Sequence, residues 1–239
     1  MVLVAAAVFS TVPAASENGP AVSAEERTVV LLHGLGRTPR SMTRMAGALE
    51  RAGYRVENIG YPSTDREFQE LLAIVSDRLA TCCLREGIRI DFVTHSLGGI
   101  ILRAFAETNG TSNIGRAVML SPPNQGTELV DELRHLFLFQ WIAGPTGRQL
   151  GTEPSSVPNR LGPVRFELGV ITGDSSFNPL YSSLIPGPDD GKVPVARAKV
   201  EGMADFLVLP HTHSFIMNSD EVIRQTLYFL DNGRFDHGS

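Results

Sequence analysis

Between positions 28 and 232, short β-branched and aliphatic runs alternate with segments of helical periodicity. This alternation constrains the fold more than any other feature. Thr28-Val-Val-Leu-Leu-His33 is apolar at consecutive positions, as expected of a strand buried on both faces. Met42, Met45, Ala46 and Leu49 then recur on one helical face, in a helix expected from about Pro39. Further strands are expected at 54–59, up to Thr94, and at 117–121, 166–172 and 206–209. Phe68, Leu71, Leu72, Val75 and Leu79 mark a second helix, which Thr64-Asp-Arg-Glu67 should open as a capping box. A third helix should run from the turn at Ser96 to about Glu107. A last one starts near Ser219 or Asp220, carries Val222, Ile223, Leu227 and Leu230, and stops at Asn232-Gly233. Strands separated by helices of this length predict an α/β fold with about six mostly parallel strands and helices on both faces.

A chain of 239 residues can bury one full core of this kind, and residues 27–235 read as a single domain. The net charge of −5 offers no basic footprint, so nucleic acid is not expected as a partner. Beyond the N-terminus no apolar run is long enough to span a bilayer. Residues 1–26 read as a signal-like leader and linker. An apolar stretch from Val2 to Phe9 leads to small residues ending Ala14-Ala15-Ser16, although no Lys or Arg precedes it. Export to the periplasm or medium is the expectation. Cys82 and Cys83 are adjacent, and neighbours rarely meet disulfide geometry. Free buried thiols are therefore expected, with a vicinal disulfide as the alternative; two cysteines without a nearby His pair make no metal site.

Two stretches interrupt the alternation, 122–163 and 174–194. The first holds Leu133, Leu136, Phe137, Leu138, Phe139, Trp141 and Ile142. That patch reads either as a core helix with a Gly/Pro-rich exit or as a mobile apolar lid within 127–163.

The chemistry centres on Asp91-Phe-Val-Thr-His-Ser-Leu-Gly-Gly-Ile100, a strand, a tight turn and the start of a helix. A serine on such a turn with glycine two residues later has the pattern of a nucleophile elbow, which holds the hydroxyl clear of the sheet. Thr94 stands where that pattern usually has glycine, beneath the turn, and residues larger than Thr should crowd it. By itself the pentapeptide fits a serine N-cap equally well. In an open α/β sheet, ligands gather at the carboxyl ends of the strands. The first strand delivers His33-Gly34-Leu35-Gly36 there, and the third delivers Ser96. The fifth delivers Asp174 and a loop ending Asp189-Asp190-Gly191, and the sixth His211-Thr212-His213. Serine, acid, histidine is the chain order of an α/β-hydrolase triad. Serine needs an imidazole as base and a carboxylate to orient that base, while the tetrahedral intermediate needs two aimed N–H donors. Leu97, after the serine, supplies one donor, and Leu35 in the glycine-flanked loop supplies the other. Arg37 could touch a leaving group, though a loop-fixing salt bridge is the stronger expectation.

Val30-Leu-Leu-His-Gly-Leu35, Val93-Thr-His-Ser-Leu-Gly-Gly-Ile100, Asp190-Gly-Lys-Val193 and His213-Ser-Phe-Ile216 together resemble a small bacterial lipase or esterase of the α/β-hydrolase superfamily, of the triacylglycerol-lipase kind. The resemblance implies hydrolysis of acyl esters through an acyl-enzyme, with no cofactor and a lipid or other acyl ester as substrate. Some lipases carry a structural calcium near the catalytic histidine, but here the next acid after His213 is Asp220, in the first turn of the last helix, so no required metal is expected. It favours Asp190 as the acid, since such lipases often carry Asp-Gly-x-Val here; Asp174 and Asp189 remain alternatives. It favours His213 over His211 as the base, because Ser214-Phe215-Ile216 follows it. His95 should bond or pack behind the elbow, and His33 should bond nearby backbone. A thioesterase or acyltransferase would use the same triad, and a non-catalytic binding protein of the same fold is the rival from another class.

Overall fold

The computed structural model describes residues 27–238, the side chains of 138–142 excepted; the leader-like segment lies outside the described residues. The chain runs β1 (Thr28–Leu32), α1 (Thr43–Arg51), β2 (Arg55–Ile59), α2 (Phe68–Cys82), β3 (Ile90–His95), α3 (Leu97–Asn109) and β4 (Ile114–Leu120). It continues through α4 (Glu128–Leu133), α5 (Phe137–Gly147), α6 (Val157–Arg160), β5 (Glu167–Gly173), α7 (Pro179–Ser182), α8 (Val195–Ala198), β6 (Asp205–Leu209) and α9 (Asp220–Asn232). Six strands form one sheet in the order β2-β1-β3-β4-β5-β6, every neighbouring pair parallel. The six-stranded α/β expectation holds.

Successive strand residues feed two separate cores, as a pleat with helices on both faces requires. Val30, Leu32, Phe92, Met119 and Val170 pack with Phe68, Leu71 and Val75 of α2 and Ile100, Ile101 and Ala104 of α3. Val29, Leu31, Val93, Val118 and Ile171 pack with Met45 and Leu49 of α1 and Val222, Phe229 and Leu230 of α9. Gly169 faces the second core, and a Cβ there would stand 2.6 Å from both the Phe229 and Phe235 rings. The strand ends carrying the candidate residues thus rest on packed side chains above and below.

Helix α9 begins and ends as its residues predict. The Ser219 hydroxyl accepts the Val222 N–H, and Gly233 closes the helix in the left-handed region. The capping box expected at Thr64 does not form. Helix α2 starts after Glu67, whose side chain makes no cap. Thr64 Oγ1 bonds Asp65 instead, and the Glu67 carboxylate accepts from the Gln149 amide. A tertiary contact took the group that the local motif would have used. The expectation for the cysteines is also corrected. Cys82 and Cys83 are joined as a disulfide: the helix ends at Cys82, and Cys83 leaves helical geometry, so the two side chains converge.

The excursion between β4 and β5 is pinned at both ends by Arg103 of α3. Its guanidinium donates to the Asn124 carbonyl at one end and to the Leu161 and Gly162 carbonyls at the other. Burial pushes this group down to about 10. Helix α5 breaks at Gly144, which takes a φ of 64°, and a Cβ there would run into the Thr64 carbonyl. Among the described residues no helix is long and apolar enough to cross a membrane.

Candidate active site

Strand β3 runs straight into α3 through Ser96, which holds φ 51° and ψ −116°. Few non-glycine residues adopt a positive φ, and where one persists its surroundings must enforce it. Three contacts do so here. The Ser96 N–H donates to the Leu120 carbonyl at 2.9 Å, and the Ser96 carbonyl accepts the Gly99 N–H at 2.9 Å. Gly98 then lets the first turn of α3 sit on β1, since a Cβ there would stand 2.9 Å from that of Leu32. Thr94 lies beneath the turn, fully buried, with its hydroxyl 3.3 Å from where a Gly99 Cβ would be. Ser121, at the end of the adjacent β4, is the other described non-glycine residue at positive φ.

The loop after β6 brings His213 over the elbow, with Nε2 3.1 Å from Ser96 Oγ. Its Nδ1 is 2.9 Å from Asp190 Oδ2. All three residues are buried. The Asp190 carboxylate accepts the Nδ1–H, so the His213 lone pair at Nε2 faces the serine hydroxyl. The other carboxylate oxygen accepts the Lys192 and Val193 N–H groups at 3.0 and 2.8 Å. Burial alone would raise this carboxyl, but facing His213 and bonding the Val193 amide hold it below its ordinary value. The two loops are also stitched through backbone, the His213 N–H donating to the Asp190 carbonyl at 2.8 Å.

Of the three acids left open by the sequence, only Asp190 meets the histidine. Asp189 turns the other way and accepts from the Gly191 N–H and the Ser182 hydroxyl. Asp174 is exposed at the end of β5, bonded to Ser175. His211 bonds the Ser219 hydroxyl at 2.9 Å and stands apart from Ser96.

The His33–Leu35 loop folds directly onto the elbow. A Cβ on Gly34 would come 2.6 Å from His95 Nδ1 and 3.2 Å from Ser96 Cβ. Tyr61 holds the loop from behind: its ring stacks on His33 at 4.1 Å and its hydroxyl donates to the His33 carbonyl. His33 Nδ1 bonds the Gly34 carbonyl, and burial lowers this imidazole. The N–H groups of Leu35 and Leu97 have no acceptor among the described residues, so both expected donors are free for a ligand.

His95 is buried and hydrogen-bonded behind the elbow, as expected, and its partner is the backbone of His213. Its Nε2 lies 3.0 Å from the His213 carbonyl, and because a carbonyl only accepts, Nε2 carries the proton. Burial, with the neighbouring His213 adding to it, lowers His95 well below the ordinary histidine value and keeps it neutral. It therefore holds the His213 backbone from below. The salt bridge expected of Arg37 is absent. Its guanidinium reaches the Ser214 carbonyl at 3.4 Å and meets no carboxylate among the described residues.

Large apolar side chains stand exposed on the connections that follow β4, β5 and β6: Phe137 at the start of α5, Phe177, Leu180 in α7 and Phe215. Leu35 packs against the end of α5, where a Cβ on Gly147 would lie 2.9 Å from Leu35 Cδ2. The side chains at 138–142, which form most of the predicted apolar patch, lie outside the described residues. A cavity of about 380 Å³ between the end of α3 and the approach to β5 is lined by Arg103, Glu107, Arg165 and Phe166, and it shares no residue with the Ser96 cluster.

A parallel sheet with a strained serine at the end of its third strand, beneath an incoming histidine and acid, defines the α/β-hydrolase class. The model described as the alpha/beta hydrolase family matches residues 29–225, and the chain belongs to that family. No curated protein matches it by sequence. Among solved structures it is similar to the mature form of Bacillus licheniformis lipase BlEst2, with a TM-score of 0.71 at 17% identity over 86% of this chain and 92% of that one. It is also similar to the phospholipase PlaB from Legionella pneumophila, with a TM-score of 0.64 at 18% identity over 87% of this chain and 59% of that one. A metagenomic carboxyl esterase, MGS0156, gives 0.62 at 20% identity over 86% and 70% of the two chains.

Proposed function

We propose that this protein is a serine carboxylester hydrolase of the lipase and esterase type. One observation carries the reading: Ser96 Oγ, His213 and Asp190 form a continuous hydrogen-bonded chain of 3.1 and 2.9 Å. Ser96 attacks the ester carbonyl while its proton passes to His213 Nε2. The N–H groups of Leu35 and Leu97 bind the oxyanion, and Asp190 stabilises the imidazolium without taking its proton. His213 then protonates the leaving alcohol, and the Ser96 acyl-enzyme remains. Water repeats the sequence, giving its proton to His213 and releasing the acid as Ser96 recovers its hydrogen. Similarity to proteins named lipase, phospholipase and carboxyl esterase supports esters as the substrate class. The exposed Phe215, two residues after His213, and Phe177 and Leu180, in the connection that carries Asp190, suit an acyl chain. The lid we assign lies within residues 127–163, a segment that meets the Leu35 side chain at Gly147.

The test is labelling by a fluorophosphonate together with turnover of p-nitrophenyl acyl esters. Ser96→Ala should abolish labelling and lower turnover on the order of a millionfold. Near-normal turnover by that variant would end the reading. Acyl thioesters preferred over matched oxygen esters would transfer the same triad to a thioesterase.

A further inference from the structure

Two cationic side chains flank the Ser96 cluster without an acidic partner. Arg37 follows the Leu35 loop, and its guanidinium lies against the carbonyl of Ser214, the residue after His213. Lys192 stands two residues after Asp190, held by its N–H to the Asp190 carboxylate and by the Thr127 hydroxyl on its carbonyl. Both are half-buried. Neither has a carboxylate within 4.0 Å among the described residues. The Asp190 carboxylate acts on Lys192 from a distance, and it is already bonded to His213. Burial and the facing Arg37 charge lower the Lys192 ammonium, and both cations bear on His95. Arg103 also lacks a carboxylate partner, but backbone carbonyls hold its guanidinium. The other lysine, Lys199, lies over the Phe206 ring, and Arg27, Arg44, Arg116 and Arg197 each meet an acid.

Two like charges drawn partly out of water with no counter-charge are costly, and a bound anion removes that cost. Their position selects which part of an ester they meet. His213 Nε2 must pass its proton to the leaving alcohol, so the alcohol portion lies on the His213 side, where the Arg37 guanidinium reaches Ser214 and Lys192 follows the acid bonded to His213.

We propose that Arg37 and Lys192 form an anion-recognition subsite beside Ser96, and that the preferred ester carries a phosphate or carboxylate on its alcohol portion. This rests on the ester-hydrolase reading above.

The test uses three soluble butyryl esters, of glycerol, glycerol 3-phosphate and glycerate, with butyrate release measured for each. Wild-type kcat/KM should favour at least one charged ester over the glycerol ester by about tenfold or more, and added salt should shrink that ratio because the subsite is half exposed. Which charged ester is favoured distinguishes phosphate from carboxylate. Arg37→Gln and Lys192→Gln, each normalised to its own glycerol-ester rate, should bring the ratio towards one, while the charge-keeping Lys192→Arg should retain it. Lys192→Glu should shift preference towards butyrylcholine. Equal turnover of all three esters by the wild type would overturn the subsite and leave the hydrolase reading standing. A preference that survives in both glutamine variants would overturn the assignment to these residues. No turnover of any ester, with no fluorophosphonate labelling, would overturn both.

Discussion

The backbone of Ser96 permits a stability measurement that is independent of any substrate. At φ 51° and ψ −116° the residue sits in a region that glycine enters freely and other residues only under strain, at about 1–3 kcal/mol. Comparing Ser96→Gly with Ser96→Ala isolates that strain, because both variants lose the hydroxyl and its bond to His213. Glycine relieves about 2 kcal/mol of strain. Against this, its freer unfolded chain costs about 0.7 kcal/mol. Loss of a buried methyl costs about 0.8 kcal/mol more, since Ser96 is only 8% exposed. The glycine variant should therefore be the more stable of the two by about 0.5 kcal/mol, roughly 1–2 °C in Tm for a chain of this size. At an unstrained buried position the same exchange would cost about 1.5 kcal/mol, or roughly 3–6 °C. Urea unfolding and calorimetry on the two variants read the difference directly. A glycine variant less stable than the alanine variant by the unstrained amount would show that the elbow stores no strain.

Gly34→Ala places a Cβ 2.6 Å from His95 Nδ1, so the loop must lift or His95 must turn. We expect a loss of about 1–3 kcal/mol in stability. Displacing the Leu35 N–H should also cost about 10²–10³ in kcat, and wild-type kcat in this variant would refute the placement of that donor. Asp190→Asn should lower ester turnover by about 10⁴, with Asp189→Asn losing far less. The Asp190 carboxyl is depressed in the folded state, so the stability it contributes is present above its ordinary 3.8 and is lost as pH falls through the folded value. The stability gap between wild type and Asp190→Asn should accordingly be constant near neutrality and close in strong acid. A gap that widens on acidification would contradict the sign of the shift.

The sheet and its helices were legible because a strand buried on both faces and a helix with one apolar stripe leave different periodicities. Thr28–Leu32 and the Phe68 to Leu79 spacing each state their element without reference to distant residues. The order of Ser96, Asp190 and His213 was legible for a related reason, since parallel strands deliver their following loops to the same edge. The cap at Ser219 and stop at Gly233 are local hydrogen-bond and backbone preferences, and they formed as written.

What the sequence could not decide depends on which side chains meet across long separations. Thr64 and Glu67 make a sound local capping box, yet Gln149, distant in sequence, claims the glutamate. The Asp190-Gly-Lys-Val193 pattern favoured Asp190 over its neighbour, but that Asp189 turns to the Gly191 N–H while Asp190 faces His213 is seen only in the folded loop. The bond from His95 to the His213 carbonyl, and the unpaired charges of Arg37 and Lys192, likewise come from loops brought together by the sheet. The sequence by itself determined the parallel α/β architecture and the edge where the chemistry gathers, because periodicity and topology are properties of contiguous segments. Tertiary structure alone decided the hold on the histidine and the charge around the serine, because those are distances between residues that share no local pattern.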